Sequence, residues 1–329
     1  MTFLSTLAHA AKSLALVAAR RPVAGPRRPS WSWRYEIVVE TVRSQFGRDM
    51  DLDTARRNYD TFADIEDRKK RVRVETADGA GCPAEWVLPV EDTKADIAIF
   101  YLHGGGYVIG SPRSHRALMA DVACATGARI LGIDYRLAPE HPCPAAIEDS
   151  VRAWLWFIQT EDPKRVIMTG DSAGGGLVLA TLMALRDASH PLPAGAVVLS
   201  PWADLVGPFP QGTPDYDYLT AAKLEEYASF YAGDLPLDDP RVSPVFGDFT
   251  GLPPLYITAG GQEILLSGIQ RVAARAQDAG VEVTFVIEED EIHVYPAFSE
   301  FSDTARKALT DIDAWIRPRI DASASPERN

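Results

Sequence analysis

Ser172 stands in Gly170-Asp171-Ser172-Ala173-Gly174, a G-x-S-x-G pentad. That pattern presents a serine hydroxyl on a sharp strand-to-helix turn, where it can serve as a nucleophile. The apolar run at 165–170 reads as a buried strand and 174–187 as a helix. Small residues at 170, 173, 174 and 175 let the two approach closely. A serine hydroxyl is weakly nucleophilic and needs a base, which in this arrangement comes late in the chain, after the acid. Only His190 and His293 of the six histidines follow Ser172. His190 lies in a proline-rich loop at the far end of the helix that leaves the serine. His293 follows the strand 283–289, on the side of the sheet where the serine turn belongs, and is the expected base. Glu263 is the acidic residue just after the strand 254–260; it would accept the imidazole Nδ1–H and leave Nε2 facing Ser172. Asp290 and Glu291 lie too near His293 along the chain to be first choices.

The second signal is His103-Gly104-Gly105-Gly106-Tyr107, after the apolar run 97–103. Acyl transfer passes through a tetrahedral oxyanion that needs preorganised N–H donors, and a glycine run can turn its amides outward. The expected donors are Gly104, Gly105 and Ala173. His103 is expected to prop the loop by a hydrogen bond rather than to act as a base, with Tyr107 and Asp171 as supporting neighbours. The run lacks the spacing and lysine of a phosphate-binding loop.

These residues need a frame, and the chain supplies one. Apolar runs at 97–103, 128–135, 165–170, 196–202, 254–260 and 283–289 alternate with helical patterns at 114–126, 145–159, 174–187, 268–279 and 299–316. Such alternation predicts a mostly parallel sheet covered on both faces, with chemistry at the C-terminal strand ends. Two strands with alternating residues, around 72–74 and 84–88, precede it. Residues 33–46 and 51–65 read as helices, the second capped by Asp51 or Asp53, and 20–29 as a linker. Residues 207–245, with a helix at 221–231, interrupt the alternation. The expected organisation is a helical cap segment at 1–65 and a catalytic domain at 66–329, with a cap insertion at about 207–245.

Composition excludes several functions. With 33 basic and 46 acidic residues among 329, the formal charge is −13, which disfavours nucleic acid and anionic membranes. Cys82, Cys124 and Cys143 are odd in number and without metal-ligand spacing, so structural thiols are expected rather than a disulfide framework or a metal site. The apolar N-terminus is interrupted by His9 and Lys12 and followed by Arg20-Arg21. It lacks the pattern of a signal peptide and the length of a membrane span. A cytoplasmic chain without stable membrane insertion is the expectation, its first helix lying on its own surface.

HGGGY, DYRLAPEHPCPAA, GDSAGG and the late EIH, in this order, together resemble the bacterial hormone-sensitive-lipase-like (family IV) esterases over roughly residues 70–317. The resemblance implies an α/β-hydrolase fold with a mostly parallel central sheet flanked by helices under a helical cap. It implies hydrolysis of short- to medium-chain acyl esters without a cofactor or metal. Residues 135–142 match a family segment that braces the active-site loops; Ser200-Pro201-Trp202 and Arg241-Val242-Ser243-Pro244 match as well. A homodimer is the assembly it suggests. Two departures stand out: Gln262 occupies a position where related chains carry an aspartate, which moves the acid role to Glu263, and an acidic run, Glu288 to Glu291, precedes His293. That run would either support the imidazolium or be solvated. A lactone hydrolase on the same three residues, a binding protein with a disabled triad and a membrane-attached lipase are the competing readings. Intact Ser172, His293 and glycine loop speak against the second.

Overall fold

The computed structural model describes residues 3–46, 50–60, 71–91, 97–209 and 217–323. Eight strands form one sheet in the order β1-β2-β4-β3-β5-β6-β7-β8. They are β1 Val72–Ala77, β2 Ala84–Pro89, β3 Ala98–Leu102, β4 Arg129–Ile133, β5 Val166–Asp171, β6 Gly195–Leu199, β7 Leu255–Gly260 and β8 Val283–Glu288. The β1–β2 and β2–β4 pairs are antiparallel and all later pairs parallel.

The apolar runs read as buried on both faces divide by alternate residues. Ala98, Phe100 and Leu102 of β3 join one core, with Val166 and Met168 of β5 and Ala196 and Val198 of β6. Ile99 and Tyr101, Ile167, Val197 and Leu199 join the other. This is the side-chain period of two acting on strands buried on both sides. Phe100, fully buried and edge-on to Trp154 at 5.7 Å, illustrates what holds the layers: truncating such a ring to alanine costs about 3–5 kcal/mol.

Nine helices are present among the described residues. After α1 Phe3–Ala24, α2 Trp33–Phe46 and α3 Leu52–Asp60 come α4 Pro112–Thr126, α5 Ala145–Phe157, α6 Ala173–Asp187, α7 Ala221–Ala232, α8 Leu266–Asp278 and α9 Asp303–Ser323. Asp51 caps α3, its carboxylate accepting Thr54 N–H at 2.8 Å. Three expectations are adjusted. The stretch 20–29 is not all linker, because α1 runs through Pro22 to Ala24. The helix expected over 51–65 ends at Asp60 among the described residues; 61–65 lie outside them. The late helix begins at Asp303 rather than 299, after a 3-10 turn at Tyr295–Phe298. Among the described residues no helix is long and apolar enough to cross a membrane. All three cysteines are free thiols.

Chain order reverses between β3 and β5, which flank one another while β4 lies outside β3. This is a topological switch point, where a crevice opens beyond the C-terminal strand ends. The glycine loop follows β3 and the serine turn follows β5, in register at Leu102↔Gly170.

Candidate active site

Ser172 has φ 52° and ψ −123°, a conformation costly for any residue with a side chain. The turn is fixed from both sides. Its N–H donates to Leu199 O at 2.8 Å, and its carbonyl accepts Trp202 N–H at 2.8 Å. A Cβ on Gly170 would lie 2.5 Å from Gly174 O, so the glycine there is required by the close approach of strand and helix. Four of the five non-glycine residues with positive φ among those described, Tyr107, Ser172, Ser200 and Val294, surround this crevice.

β7 and β8 deliver the other two groups. His293 Nδ1–H donates to Glu263 Oε2 at 2.6 Å, and both side chains are buried. Glu263 Oε1 accepts Gly260 N–H at 2.7 Å and Ser200 Oγ–H at 3.0 Å. Ser200 Oγ in turn accepts Val294 N–H at 3.0 Å, so one hydroxyl joins the acid loop to the base loop. The opposite imidazole nitrogen, Nε2, is buried and has no partner among the described residues. Burial pushes the His293 pKa down, but Glu263, with Asp217 and Asp171, outweighs it and the net shift is upward.

His103 is held within the glycine loop. Its Nδ1–H donates to Gly104 O at 2.8 Å, and its ring stacks on Tyr135 at 4.2 Å. Burial, helped by nearby His115, drives its pKa to about 3, so it stays neutral. Tyr107 is fully buried and donates from its hydroxyl to Trp202 O at 3.1 Å. Asp171 accepts Tyr101 O–H at 2.5 Å and Gly104 N–H at 3.1 Å. Gly104's amide is therefore committed to bracing the loop and differs from the expected donor. Among the described residues the Gly105 and Gly106 N–H groups donate to no protein acceptor. Ala173 opens α6, where an N–H has no intrahelical partner.

Three sets of contacts were missed in the sequence. His115 Nε2 lies 3.4 Å from Asp171 Oδ2; burial opposes its charge, but Asp171 raises its pKa on balance. Asp217 and Tyr218 come from the segment between β6 and β7, Asp217 accepting Ile264 N–H at 2.9 Å and Tyr218 donating to His293 O at 3.1 Å. The N-terminal region grips the loops from above. Arg56 donates to Val108 O and Ala138 O, each at 2.9 Å, and pairs with Glu140.

The two departures from the family pattern are landing points for that region. Gln262 accepts from Arg28. Trp31 Nε1–H donates to Asp290 O at 2.9 Å, and Tyr35 O–H donates to Glu291. Glu291 is 1% exposed, with burial pushing its pKa up. It is thus not solvated, whereas Glu289 is exposed. Among the described residues no group of three or more His, Cys, Asp or Glu could hold a metal ion.

Comparisons with known proteins agree with this geometry. Residues 99–297 match a family model described as the alpha/beta hydrolase fold. An acetyl-hydrolase of Streptomyces hygroscopicus is 40% identical over 240 residues, 72% of this chain and 80% of that protein. An ethyl acetate hydrolase of Pseudomonas putida is 30% identical over 283 residues, 79% and 88% of the two chains. A crystal structure of an esterase from the bacterial hormone-sensitive lipase family superposes with a TM-score of 0.81 at 38% identity, covering 86% of this chain and 97% of that one. Elbow, glycine loop, sheet order and these relatives together place the chain in the α/β-hydrolase family, among the bacterial hormone-sensitive-lipase-type esterases.

Proposed function

We propose that the chain hydrolyses short-chain acyl esters, acetyl and butyryl esters above all, through an acyl-enzyme on Ser172. The observation that carries this reading is the buried Glu263–His293 hydrogen bond of 2.6 Å, which leaves Nε2 buried and without a partner among the described residues. His293 Nε2 takes the Ser172 proton as Oγ attacks the ester carbonyl, and Glu263 stabilises the imidazolium. The Gly105, Gly106 and Ala173 amides receive the oxyanion. His293 then protonates the leaving alcohol, and a water activated by the same nitrogen releases the acid.

The short-acyl preference has two supports. Relatives carry the names acetyl-hydrolase and ethyl acetate hydrolase. Bulky aromatic residues also lie near the nucleophile: Trp202 donates its N–H to the Ser172 carbonyl, and Tyr107, stacked on Tyr231 at 3.7 Å, donates to the Trp202 carbonyl. Rates on p-nitrophenyl acetate, butyrate, octanoate and palmitate test it: kcat/KM should be greatest for the two shorter esters. A folded protein inert on all four contradicts the esterase reading, and a maximum at octanoate or palmitate contradicts the acyl preference.

A further inference from the structure

Asp217 is a fully buried carboxylate that the serine–histidine–glutamate chemistry does not require. Its Oδ2 accepts Ile264 N–H at 2.9 Å, the amide directly after the acid, and its Oδ1 accepts Tyr218 N–H at 2.8 Å. Tyr218 continues to the base, donating from its hydroxyl to His293 O at 3.1 Å with its ring 5.7 Å from the imidazole. From the other side Arg43 Nε–H of α2 donates to Asp217 O at 3.1 Å. One dipeptide of the insertion therefore holds the residue following the acid, the backbone of the base and an N-terminal helix.

We propose that Asp217 and Tyr218 are a positioning pair for the triad: Asp217 fixes the acid loop and adds a second negative charge behind His293, while Tyr218 fixes the base loop. The proposal rests on the reading of Ser172, His293 and Glu263 as the triad. Anchoring alone would not call for a carboxylate, because a buried charge is expensive unless an opposite charge compensates it. Two backbone N–H groups compensate in part. The cations placed to compensate the rest are Arg43, which donates to the Asp217 carbonyl, and the imidazolium, which forms during turnover while His293 holds the serine proton.

The charged and titratable groups facing Asp217 among the described residues are consistent with this role. They are Glu263 and His293 from the two catalytic loops, Tyr218 beside it, and Arg43 and Tyr35 from α2. Burial, reinforced by Glu263, raises the Asp217 pKa to about 6, while His293 pulls it down. Asp217 is ionised above that value, where the base must also be neutral and ready.

The test reads the imidazole directly, so that it does not depend on turnover. The His293 NMR signal, assigned by its loss in His293→Ala, is titrated in wild type, Asp217→Asn and Tyr218→Phe, with steady-state kinetics on p-nitrophenyl acetate alongside. Asp217→Asn should lower the His293 pKa by about one unit and kcat by about tenfold, with KM nearly unchanged. Tyr218→Phe should lower kcat severalfold without moving the pKa, because it removes a neutral hydroxyl. A folded Asp217→Asn with the His293 pKa and kcat of wild type, or with a change in KM alone, overturns the proposal. If Asp217→Asn does not fold, Tyr218→Phe decides: reduced kcat at constant KM supports the pair, and unchanged kcat overturns it. Loss of the esterase reading would appear separately, as a wild type no faster than Ser172→Ala.

Discussion

Replacing Glu263 with glutamine tests the acid without changing its size. Glu263 Oε1 receives two donors, the Gly260 amide at 2.7 Å and the Ser200 hydroxyl at 3.0 Å. The hydroxyl can rotate, but the backbone N–H cannot. A glutamine must therefore place its carbonyl oxygen toward Gly260 and its NH2 toward His293 Nδ1, where the carboxylate now accepts at 2.6 Å. Facing a donor, Nδ1 must become the acceptor, and the imidazole proton moves to Nε2. Nε2 is then protonated in the neutral ring and cannot take the serine proton. Loss of the working tautomer in such a triad lowers kcat about 10⁴-fold, which is about 5.5 kcal/mol of transition-state stabilisation. Binding of the ester does not involve Glu263, so KM should change little. Initial rates on p-nitrophenyl acetate, with folding checked by circular dichroism, provide the assay. A folded Glu263→Gln enzyme within threefold of wild type would refute the tautomer argument and the role of Glu263 together.

Further outcomes follow from the same contacts. Because Glu263 and its neighbours raise the His293 pKa above 6.5 and the base must be unprotonated, kcat/KM should fall as pH drops through a midpoint above 6.5; a midpoint below that value contradicts the assignment. Gly105 has φ +114° and a Cβ there would collide with Ile109 O, so Gly105→Ala should displace one oxyanion donor and lower kcat about 10²–10³-fold; wild-type kcat in a folded variant would remove Gly105 from the hole. Tyr35→Phe leaves Glu291 bonded to Ser302 Oγ at 2.8 Å but without its tyrosine partner. It should cost about 1–3 kcal/mol and lower the melting temperature by a few degrees, while an unchanged melt would show that the N-terminal strap contributes nothing there.

The readable parts of the sequence were those with local causes. The elbow was legible because β5, the turn and α6 are contiguous, and their glycines are demanded by approach distances within a few residues. That Glu263 meets His293 was legible by position, from its place just after β7. The sheet was legible from six apolar runs, although the N-terminal helix hid its end behind Pro22. What escaped has a nonlocal cause. Gly104's amide is taken by Asp171, Tyr35 meets Glu291, and Asp217 meets Ile264, across separations of 67, 256 and 47 residues. Asp217 also sits in an insertion without periodic pattern, where no spacing rule assigns a carboxylate to the interior. On the sequence alone the acidic run before His293 stays open between supporting the imidazolium and being solvated, because charge on a sequence carries no burial; the tyrosine that meets Glu291, Tyr35, belongs to α2.

The central claim, that Ser172 carries the acyl group, is tested most directly by trapping it. Wild type and Ser172→Ala are treated with phenylmethylsulfonyl fluoride, digested and mapped by mass spectrometry, with esterase activity followed in parallel. The account predicts one sulfonyl adduct per chain, on Ser172, formed in step with the loss of activity, and an inert, unmodified Ser172→Ala. Hydrolysis by folded Ser172→Ala at the wild-type rate, or inactivation of wild type with Ser172 unmodified, would contradict it.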